Sequence, residues 1–266
     1  MKTSPRFLFK KTDKARVLAM VTAAPWLAPA FVDSEGFLLQ RIQCLVIEVG
    51  GKRIAVDTCV GNDKPRANPG WNNLQLPFLA DMEAAGFPAD SIDFVICTHL
   101  HVDHVGWNTR LVDGEWVPTF TNARYIFAAP ELDHWANEPS NDGDVFGDSV
   151  APIVAAGLAD RVEMDHVVCE GVRLDPTPGH TPGHVSVVIE SLGKRAVITG
   201  DMIHTPIQIA DVELSSSFDT DPLQAAVTRH EFLERYNDGT LVIGTHWGGP
   251  GAGSVRRDGD TWSIIV

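Results

Sequence analysis

The chain has 266 residues, of which 44% are hydrophobic and 21% are charged. This balance is typical of a globular protein and excludes a chain that is mainly disordered. There are 21 basic and 35 acidic residues, which gives a formal net charge of -14. A nucleic acid or an anionic membrane surface would need a basic face, so neither is expected as a partner.

The N-terminal region joins basic residues to an apolar stretch and loosely resembles an export signal. Pro25 interrupts that stretch, which is also too short to span a membrane. We therefore predict a strand at 16–22 and a cytoplasmic protein. The cysteines include no Cys-x-x-Cys pair, which fits a reducing compartment; Cys44 and Cys97 lie in apolar runs and are expected to be buried thiols, whereas a reactive role stays open for Cys59. These widely spaced cysteines are Cys44, Cys59, Cys97 and Cys169.

Short β-branched runs bounded by Gly, Asp or Asn predict further strands. They cover 42–49, 53–56, 92–97, 124–127, 184–189, 195–199, 240–243 and 262–266. Apolar residues at helical spacing predict helices at 76–85, 130–137, 148–156 and 221–236, the last with Asp221 as its N-cap and Pro222 in its first turn.

Paired strands with helices between the groups predict a mixed α+β layered fold. No low-complexity linker divides the sequence, so we expect a single domain over 1–266. The stretch 107–146 is rich in Trp, Pro, Asn and Asp. Its length and composition predict an insertion that shapes a pocket.

The strongest chemical signal is the segment His-Leu-His-Val-Asp-His, which directly follows an apolar strand. It places His99, His101, Asp103 and His104 within six positions. In extended backbone His99 and His101 point to the same side, and a turn can bring Asp103 and His104 around a second point. Imidazole nitrogens and carboxylate oxygens suit zinc, iron or manganese. The alternative, a polar loop with solvated histidines, fits this density of ligand-type residues poorly.

Three isolated candidates follow farther along the chain. His180 lies in Pro-Gly-His-Thr-Pro-Gly-His, Asp201 ends the run Ile-Thr-Gly-Asp, and His246 ends Ile-Gly-Thr-His. A stiff strand or tight turn would deliver each of them to a shared edge. Taken singly each is more often structural, but together with the first cluster they complete two coordination spheres.

These motifs, in this order and spacing, resemble those of the metallo-β-lactamase-fold hydrolases. The resemblance runs from about Leu45 to the C-terminus and includes Val56-Asp57-Thr58, which matches an early Asp motif of the family. It implies a four-layer αββα sandwich that holds two divalent ions. Zinc is the first expectation, with iron, manganese and cobalt as alternatives. The implied ligands are His99, His101 and His180 for one ion, Asp103, His104 and His246 for the other, and Asp201 bridging both.

The same resemblance implies a role for residues beside the ligands. His184 is expected to support the site rather than bind metal, and Asp57 to orient a ligand loop. His204 stands three residues after Asp201, where acyl-homoserine lactonases of this fold have a tyrosine, and so resembles the methyl-parathion-hydrolase branch. It could donate a hydrogen bond to an oxyanion, protonate a leaving group, or only line the pocket.

The implied activity is hydrolysis of an ester-type bond, with a lactone first, by a hydroxide that bridges the two metals. Asp103, Asp201 and His204 are the expected catalytic residues. Alternatives are a phosphotriester hydrolase and, in another class, a mononuclear iron oxidoreductase similar to the persulfide dioxygenases. A binding module without catalysis is disfavoured by the complete ligand set. The sequence contains no Gly-x-Ser-x-Gly motif, so a serine hydrolase is disfavoured.

Several tryptophans lie in predicted loops or near ligand segments, and Trp107 and Trp247 are close to ligands in sequence. They suggest an aromatic mouth that suits a small hydrophobic ester, lactone or phosphotriester. For each tryptophan alone, ordinary core packing is the stronger interpretation. A homodimer is compatible with the sequence, which does not specify an oligomeric state.

Overall fold

The computed structural model describes residues 1–266. It divides the chain into two compact units, of which the first joins Met1–Ile42 to Gly171–Val266 and the second is Gln43–Glu170. The single domain expected from the sequence stays a prediction. None of the helices combines the length and the apolar character that crossing a bilayer requires.

The elements are numbered along the chain. The strands are β1 (Lys2–Thr3), β2 (Leu38–Leu39), β3 (Leu45–Val49), β4 (Lys52–Val56), β5 (Phe94–Ile96), β6 (Thr109–Val112), β7 (Glu115–Pro118), β8 (Arg124–Ala128), β9 (Ala159–Val162), β10 (Val167–Cys169), β11 (Val172–Pro176), β12 (Val185–Ser191), β13 (Lys194–Ile198), β14 (Leu241–Ile243), β15 (Ala252–Asp258) and β16 (Thr261–Ile265). The α-helices are α1 (Pro5–Leu8), α2 (Lys14–Ala23), α3 (Phe78–Ala84), α4 (Val102–Val105), α5 (Ala129–Trp135), α6 (Val145–Ser149), α7 (Ala151–Ala155), α8 (Ile207–Ala210) and α9 (Pro222–Arg235).

The second unit is built on a five-stranded sheet in the order β3-β4-β5-β8-β9. Strands β3 and β4 form an antiparallel hairpin, whereas β4, β5, β8 and β9 run parallel. Val56 at the end of β4 pairs with Ile96 at the end of β5. The residues that follow these two strands therefore emerge side by side at one edge of the sheet.

The first unit contains the strands β11 to β16 side by side in chain order. All neighbours are antiparallel except β13 and β14, which run parallel and pair Ile198 with Ile243. The segments that follow β13 and β14 thus leave the sheet at the same edge. The helix α9 packs its apolar side, which includes Phe232 and Leu233, into the core of this unit.

The strand predicted at 16–22 is wrong, because these residues belong to the helix α2. The Asp13 side chain caps that helix by accepting a hydrogen bond from the Arg16 N–H at 3.0 Å. Val17, Met20 and Val21 pack into one apolar cluster, and their spacing is that of a helix face rather than of an alternating strand. The β-branched residues Val17, Val21 and Thr22 favour a strand by composition, although the apolar residues have helical spacing.

The other predicted strands and helices correspond to observed elements with ends shifted by up to a few residues. The helix predicted at 148–156 is two short helices, α6 and α7, and Pro152 lies in the first turn of α7. The stretch 107–146 contains the hairpin β6–β7, whose turn residues Asp113 and Gly114 both have positive φ, and also the sheet strand β8. Its pocket-shaping role stays a prediction.

Candidate metal centre

The second unit fixes the start of its histidine-rich loop through Asp57, which follows β4. The Asp57 carboxylate accepts hydrogen bonds from the Thr98 N–H at 2.8 Å and from the Thr98 hydroxyl. Its other oxygen lies 2.9 Å from Nδ1 of His104. Asp57 therefore holds both the backbone of the loop and one of its imidazoles, in agreement with the orienting role expected from the sequence.

The ligand-type side chains of this loop lie together. Nε2 of His99 is 3.0 Å from Nδ1 of His101, and the ring centroids of His99 and His104 are 4.0 Å apart. An Asp103 oxygen is 3.6 Å from Nε2 of His104. The chain enters α4 directly after His101, so Asp103 and His104 on the helix come close to His99 and His101, which precede it. Their roles as ligands stay a prediction.

A buried glutamate that the sequence reasoning missed braces the same loop. Glu131 in α5 accepts hydrogen bonds from the Leu100 N–H at 2.9 Å and from the indole N–H of Trp135 at 2.7 Å. The Trp135 ring centroid lies 5.1 Å from that of His101. No spacing rule connects Leu100 with Glu131, so the sequence carries no signal for this contact. It becomes visible only in the structure, where the glutamate is buried.

The two tryptophans closest in sequence to predicted ligands are core residues. Trp107 is buried and stacks on Phe78 with a centroid distance of 5.1 Å. Trp247 is fully buried, packs edge-on against Phe31, and donates its indole N–H to the carbonyl oxygen of Ile203. These two side chains fill the interior, which is the ordinary interpretation for a tryptophan.

In the first unit three imidazoles converge on the buried carboxylate of Asp201. The Nε2 atom of His246 lies 3.0 Å from one Asp201 oxygen, and the Nε2 atoms of His204 and His180 lie 3.4 and 3.8 Å from the other. The parallel pair β13–β14 brings Asp201 and His246 to one sheet edge, and His180 comes from the loop between β11 and β12.

Hydrogen bonds set the tautomers of two of these rings. His246 donates its Nδ1 proton to the carbonyl oxygen of Arg41 at 2.8 Å, and Nδ1 of His180 lies 2.9 Å from a carboxylate oxygen of Asp219. With both Nδ1 atoms engaged in this way, the Nε2 atoms that face Asp201 are the ring nitrogens positioned to bind a metal.

His184 has both ring nitrogens engaged inside the unit. Its Nε2 accepts a hydrogen bond from the Asp201 N–H at 2.9 Å, so Nδ1 carries the proton and faces the Thr177 hydroxyl at 2.9 Å. His184 thus fixes the backbone of Asp201. This contact agrees with the supporting role expected from the sequence.

His204 is buried, and its Nδ1 has no hydrogen-bond partner. Burial lowers the pKa of His204 to about 3, against the raising effect of the neighbouring Asp201 carboxylate. The imidazole is therefore neutral at physiological pH. Donor atoms of His204, His180 and Asp219 lie within 4.8 Å of one another. Asp219 was not predicted, because it lies 39 positions beyond His180 and no motif marks it.

Each unit therefore carries a buried or half-buried group of imidazole nitrogens and carboxylate oxygens. This donor set fits a divalent cation such as zinc, for which nitrogen and oxygen are ordinary ligands. The orphaned Nδ1 of His204 is consistent with a polar ligand beside it, since buried polar atoms are normally satisfied.

The comparisons with known proteins begin with curated sequences. The chain is 27% identical to an N-acyl homoserine lactonase of Bacillus thuringiensis subsp. kurstaki over 56% of the chain and 53% of the relative. It thus spans about half the length of the first such relatives that it matches. It is also 24% identical to a probable metallo-hydrolase of Mycobacterium tuberculosis, over 75% of the chain and 72% of the relative.

Among solved structures, a dizinc quorum-quenching lactonase in complex with its product superposes with a TM-score of 0.76 at 19% identity. A hydrolase described as a member of the beta-lactamase superfamily superposes with a TM-score of 0.77 at 24% identity. Both comparisons cover 100% of this chain and 90% of the other. They confirm the predicted α+β class and the metallo-β-lactamase fold.

The sequence profile of the metallo-beta-lactamase superfamily matches residues 40–260, which is most of the chain. That match includes every motif on which the resemblance was based. The chain belongs to the metallo-beta-lactamase superfamily.

Proposed function

We propose that this protein is a dinuclear metal-dependent hydrolase of an ester-type bond, with a lactone as the first candidate substrate. The observation that carries the proposal is the convergence of three imidazole Nε2 atoms on the Asp201 carboxylate at 3.0 to 3.8 Å. Such a cluster of imidazole nitrogens around a buried acid is suited to a divalent metal ion. The similarity to N-acyl homoserine lactonases supports a lactone.

The proposed ligand set is the one that the sequence implied. In the second unit it comprises His99, His101, Asp103 and His104, and in the first unit His180, Asp201 and His246. Zinc is the proposed metal. The proposed substrate is a small hydrophobic ester, lactone or phosphotriester, and the proposed location is the cytoplasm.

When bound, two divalent ions would lower the pKa of a coordinated water and polarise the carbonyl of the ester. The chain's own contribution is orientation. The Asp57 carboxylate lies against Nδ1 of His104, and the Arg41 carbonyl oxygen accepts a hydrogen bond from Nδ1 of His246, so both rings are held in fixed directions. A ligand that is already held in place loses little entropy and needs little reorganisation during the reaction.

His204 would act on the substrate directly. Its buried ring lies against Asp201 and its Nδ1 has no partner, so the neutral imidazole can offer a hydrogen bond to the carbonyl oxygen of the substrate. The presence of histidine here, where the lactonases have tyrosine, favours a phosphotriester as the second candidate substrate. The iron oxidoreductase is kept as the alternative of another class.

The test is a metal analysis combined with a substrate panel. Purified protein, reconstituted with zinc, manganese or iron, is assayed for bound metal and for hydrolysis of acyl-homoserine lactones, simple lactones, aryl esters and phosphotriesters. We expect two ions per chain and turnover of a lactone without oxygen. One iron per chain with oxygen uptake would replace this proposal by the oxidoreductase, and the absence of stoichiometric metal would defeat both.

A further inference from the structure

A buried carboxylate outside the proposed ligand set stands behind His180. Nδ1 of His180 lies 2.9 Å from an Asp219 oxygen, and both side chains are at most 1% exposed. The opposite nitrogen of the same ring, Nε2, faces Asp201 at 3.8 Å. The imidazole of His180 therefore lies between two acids, one of which belongs to the proposed ligands and one of which does not.

Asp219 is itself held in place by buried groups. Its second oxygen accepts the Ser216 N–H at 2.7 Å and lies 3.7 Å from Nη1 of Arg229. Arg229 extends from α9 and is fully buried, and it donates to the carbonyl oxygen of Val212 at 2.9 Å and to the Ser215 hydroxyl at 3.0 Å. These bonds fix the guanidinium, so the carboxylate of Asp219 has a rigid and positively charged neighbour.

The backbone around His180 is gripped from the same side. The carbonyl oxygens of His180 and Gly179 accept hydrogen bonds from the N–H groups of Thr220 and Asp221, each at 2.9 Å. Gly179 comes so close to α9 that a Cβ atom there would lie 2.3 Å from the backbone nitrogen of Ala225. The start of α9 and the residues before it thus hold the His180 loop at both the main chain and the side chain.

We propose that Asp219 is a positioning residue for His180, and that Arg229 positions Asp219 in turn. Asp219 keeps the proton of His180 on Nδ1 and fixes the ring direction, so that the Nε2 lone pair is presented to the cation. A carboxylate behind a metal-binding imidazole also makes it a stronger ligand. The inference deepens the proposed function by assigning one ligand its support, and rests on that function for its metal-binding part.

A direct metal ligand is the other role open to Asp219, since its oxygen lies near donor atoms of His180 and His204. The buried guanidinium of Arg229 disfavours this role, because a divalent cation on the same carboxylate would be held close to a fixed positive charge. The Nδ1 atom of His180 also points at Asp219 at hydrogen-bond distance. A positioning role agrees with both contacts of Asp219, the one with Arg229 and the one with Nδ1 of His180.

The experiment compares Asp219→Ala and Asp219→Asn with Asp221→Ala as the matched control. Asp221 lies two residues away, and its side chain caps α9 through the N–H groups of Leu223 and Gln224; its main-chain N–H, which holds the Gly179 carbonyl oxygen, is retained in the Ala variant. Zinc affinity is measured by competition with a chromophoric chelator, and total metal at saturation by elemental analysis. We expect Asp219→Ala to weaken one zinc site by about 10- to 100-fold and to reach full occupancy at saturating zinc.

The Asn variant and the control sharpen this result. Asp219→Asn keeps an acceptor for the His180 proton and loses only the charge, so its affinity should lie between those of the wild type and the Ala variant. Asp221→Ala should lower thermal stability and leave zinc affinity unchanged. Wild-type affinity in Asp219→Ala would overturn the proposal. Loss of one whole ion at saturating zinc from both Asp219 variants would overturn it too, since Asp219 would then be a ligand.

A second measurement does not depend on bound metal. Long-range nitrogen–proton NMR of the histidine side chains in the metal-free protein should place the His180 proton on Nδ1 in the wild type and in Asp219→Asn. A proton on Nε2 of His180 in the wild type would contradict the positioning role. A wild type that binds no stoichiometric metal would defeat the proposed function, while the NMR result would still decide the role of Asp219.

Discussion

The two units present their histidines in contrasting ways. In the second unit the ligand-type residues occupy one loop of six positions, and one carboxylate, that of Asp57, holds both the loop backbone and a ring. In the first unit His180, Asp201 and His246 come from three segments, and each depends on partners far away in sequence. The contiguous cluster is a local motif, whereas the other exists only when the whole unit is folded.

Removal of Asp201, the acid proposed to bridge the two ions, should have the largest effect. We expect Asp201→Ala to lose bound metal and to reduce kcat/KM by more than about 10³-fold, which exceeds the effect of losing a single oxyanion donor. His104→Ala should also lose metal and activity together. Elemental analysis and lactone hydrolysis measure both effects. His230→Ala, at an exposed position on α9, is the control and should retain both properties. Asp201→Ala protein with full metal would remove Asp201 from the ligand set.

The dependence of the first-unit cluster on its backbone can be tested at Gly179. This residue has φ of +129°, and a Cβ would collide with the backbone of Ala225. Strain and overpacking together should reduce the free energy of unfolding by about 3–5 kcal/mol in Gly179→Ala. Gly157→Ala has a positive φ of +69° but open space around it, and should lose only about 1 kcal/mol. Equal losses in urea unfolding would show that the close approach to α9 is unimportant.

The role of His204 separates chemistry from metal binding within the first unit. His204→Ala should keep both ions, and kcat should fall by about 10²–10³-fold if the ring donates to the oxyanion. Steady-state kinetics on metal-quantified protein measures this, and His204→Gln, which keeps a donor, should recover part of the loss. An unchanged kcat in the Ala variant would leave His204 as a residue that only lines the pocket.

The smallest effect is expected from a buried ion group in the second unit. Lys64 is fully buried against Asp148 and the ring of Trp116, and burial lowers its pKa to about 8. The unfolded chain keeps the lysine proton up to its ordinary pKa near 10.5, so between pH 8 and 10.5 the unfolded state binds more protons. The Lys64 contribution to stability should therefore rise with pH in this window, by at most about 3 kcal/mol.

The contribution of Lys64 is obtained by subtracting the free energy of unfolding of a variant that lacks the lysine from that of the wild type. Urea unfolding of the wild type and of Lys64→Met is compared at pH 7.5 and pH 10, because other groups that titrate in this range cancel in the difference. The free energy of unfolding of the wild type, relative to that of Lys64→Met, should be higher at pH 10 than at pH 7.5. A difference that stays constant across the window would mean that Lys64 has an ordinary pKa despite its burial.

The contrast between the two clusters also explains what could be predicted from the sequence. The six-residue loop and the strand ends at Asp201 and His246 can be proposed as sites from the sequence because each directly follows an apolar run, and the parallel pair β13–β14 brings the last two to one sheet edge. Asp219 and Glu131 were missed because their contacts are made by burial and not by spacing. The strand predicted at 16–22 is wrong because the prediction gave more weight to the β-branched residues than to the helical spacing of the apolar ones. Asp13, an N-cap residue directly before the helix, is a signal in the sequence that favours the helix.

The bond between Nδ1 of His246 and the carbonyl oxygen of Arg41 gives the segment around Leu39 and Arg41 an unexpected importance. Leu39 and Arg41 exchange main-chain hydrogen bonds with Gly248 and His246, so this leading segment forms part of the wall behind a proposed ligand. Trimming the protein to the superfamily-matched span, which begins at residue 40, would remove Leu39 and with it the main-chain hydrogen bond that its carbonyl oxygen accepts from Gly248. Anyone shortening the protein for crystallisation or display should leave its amino end intact.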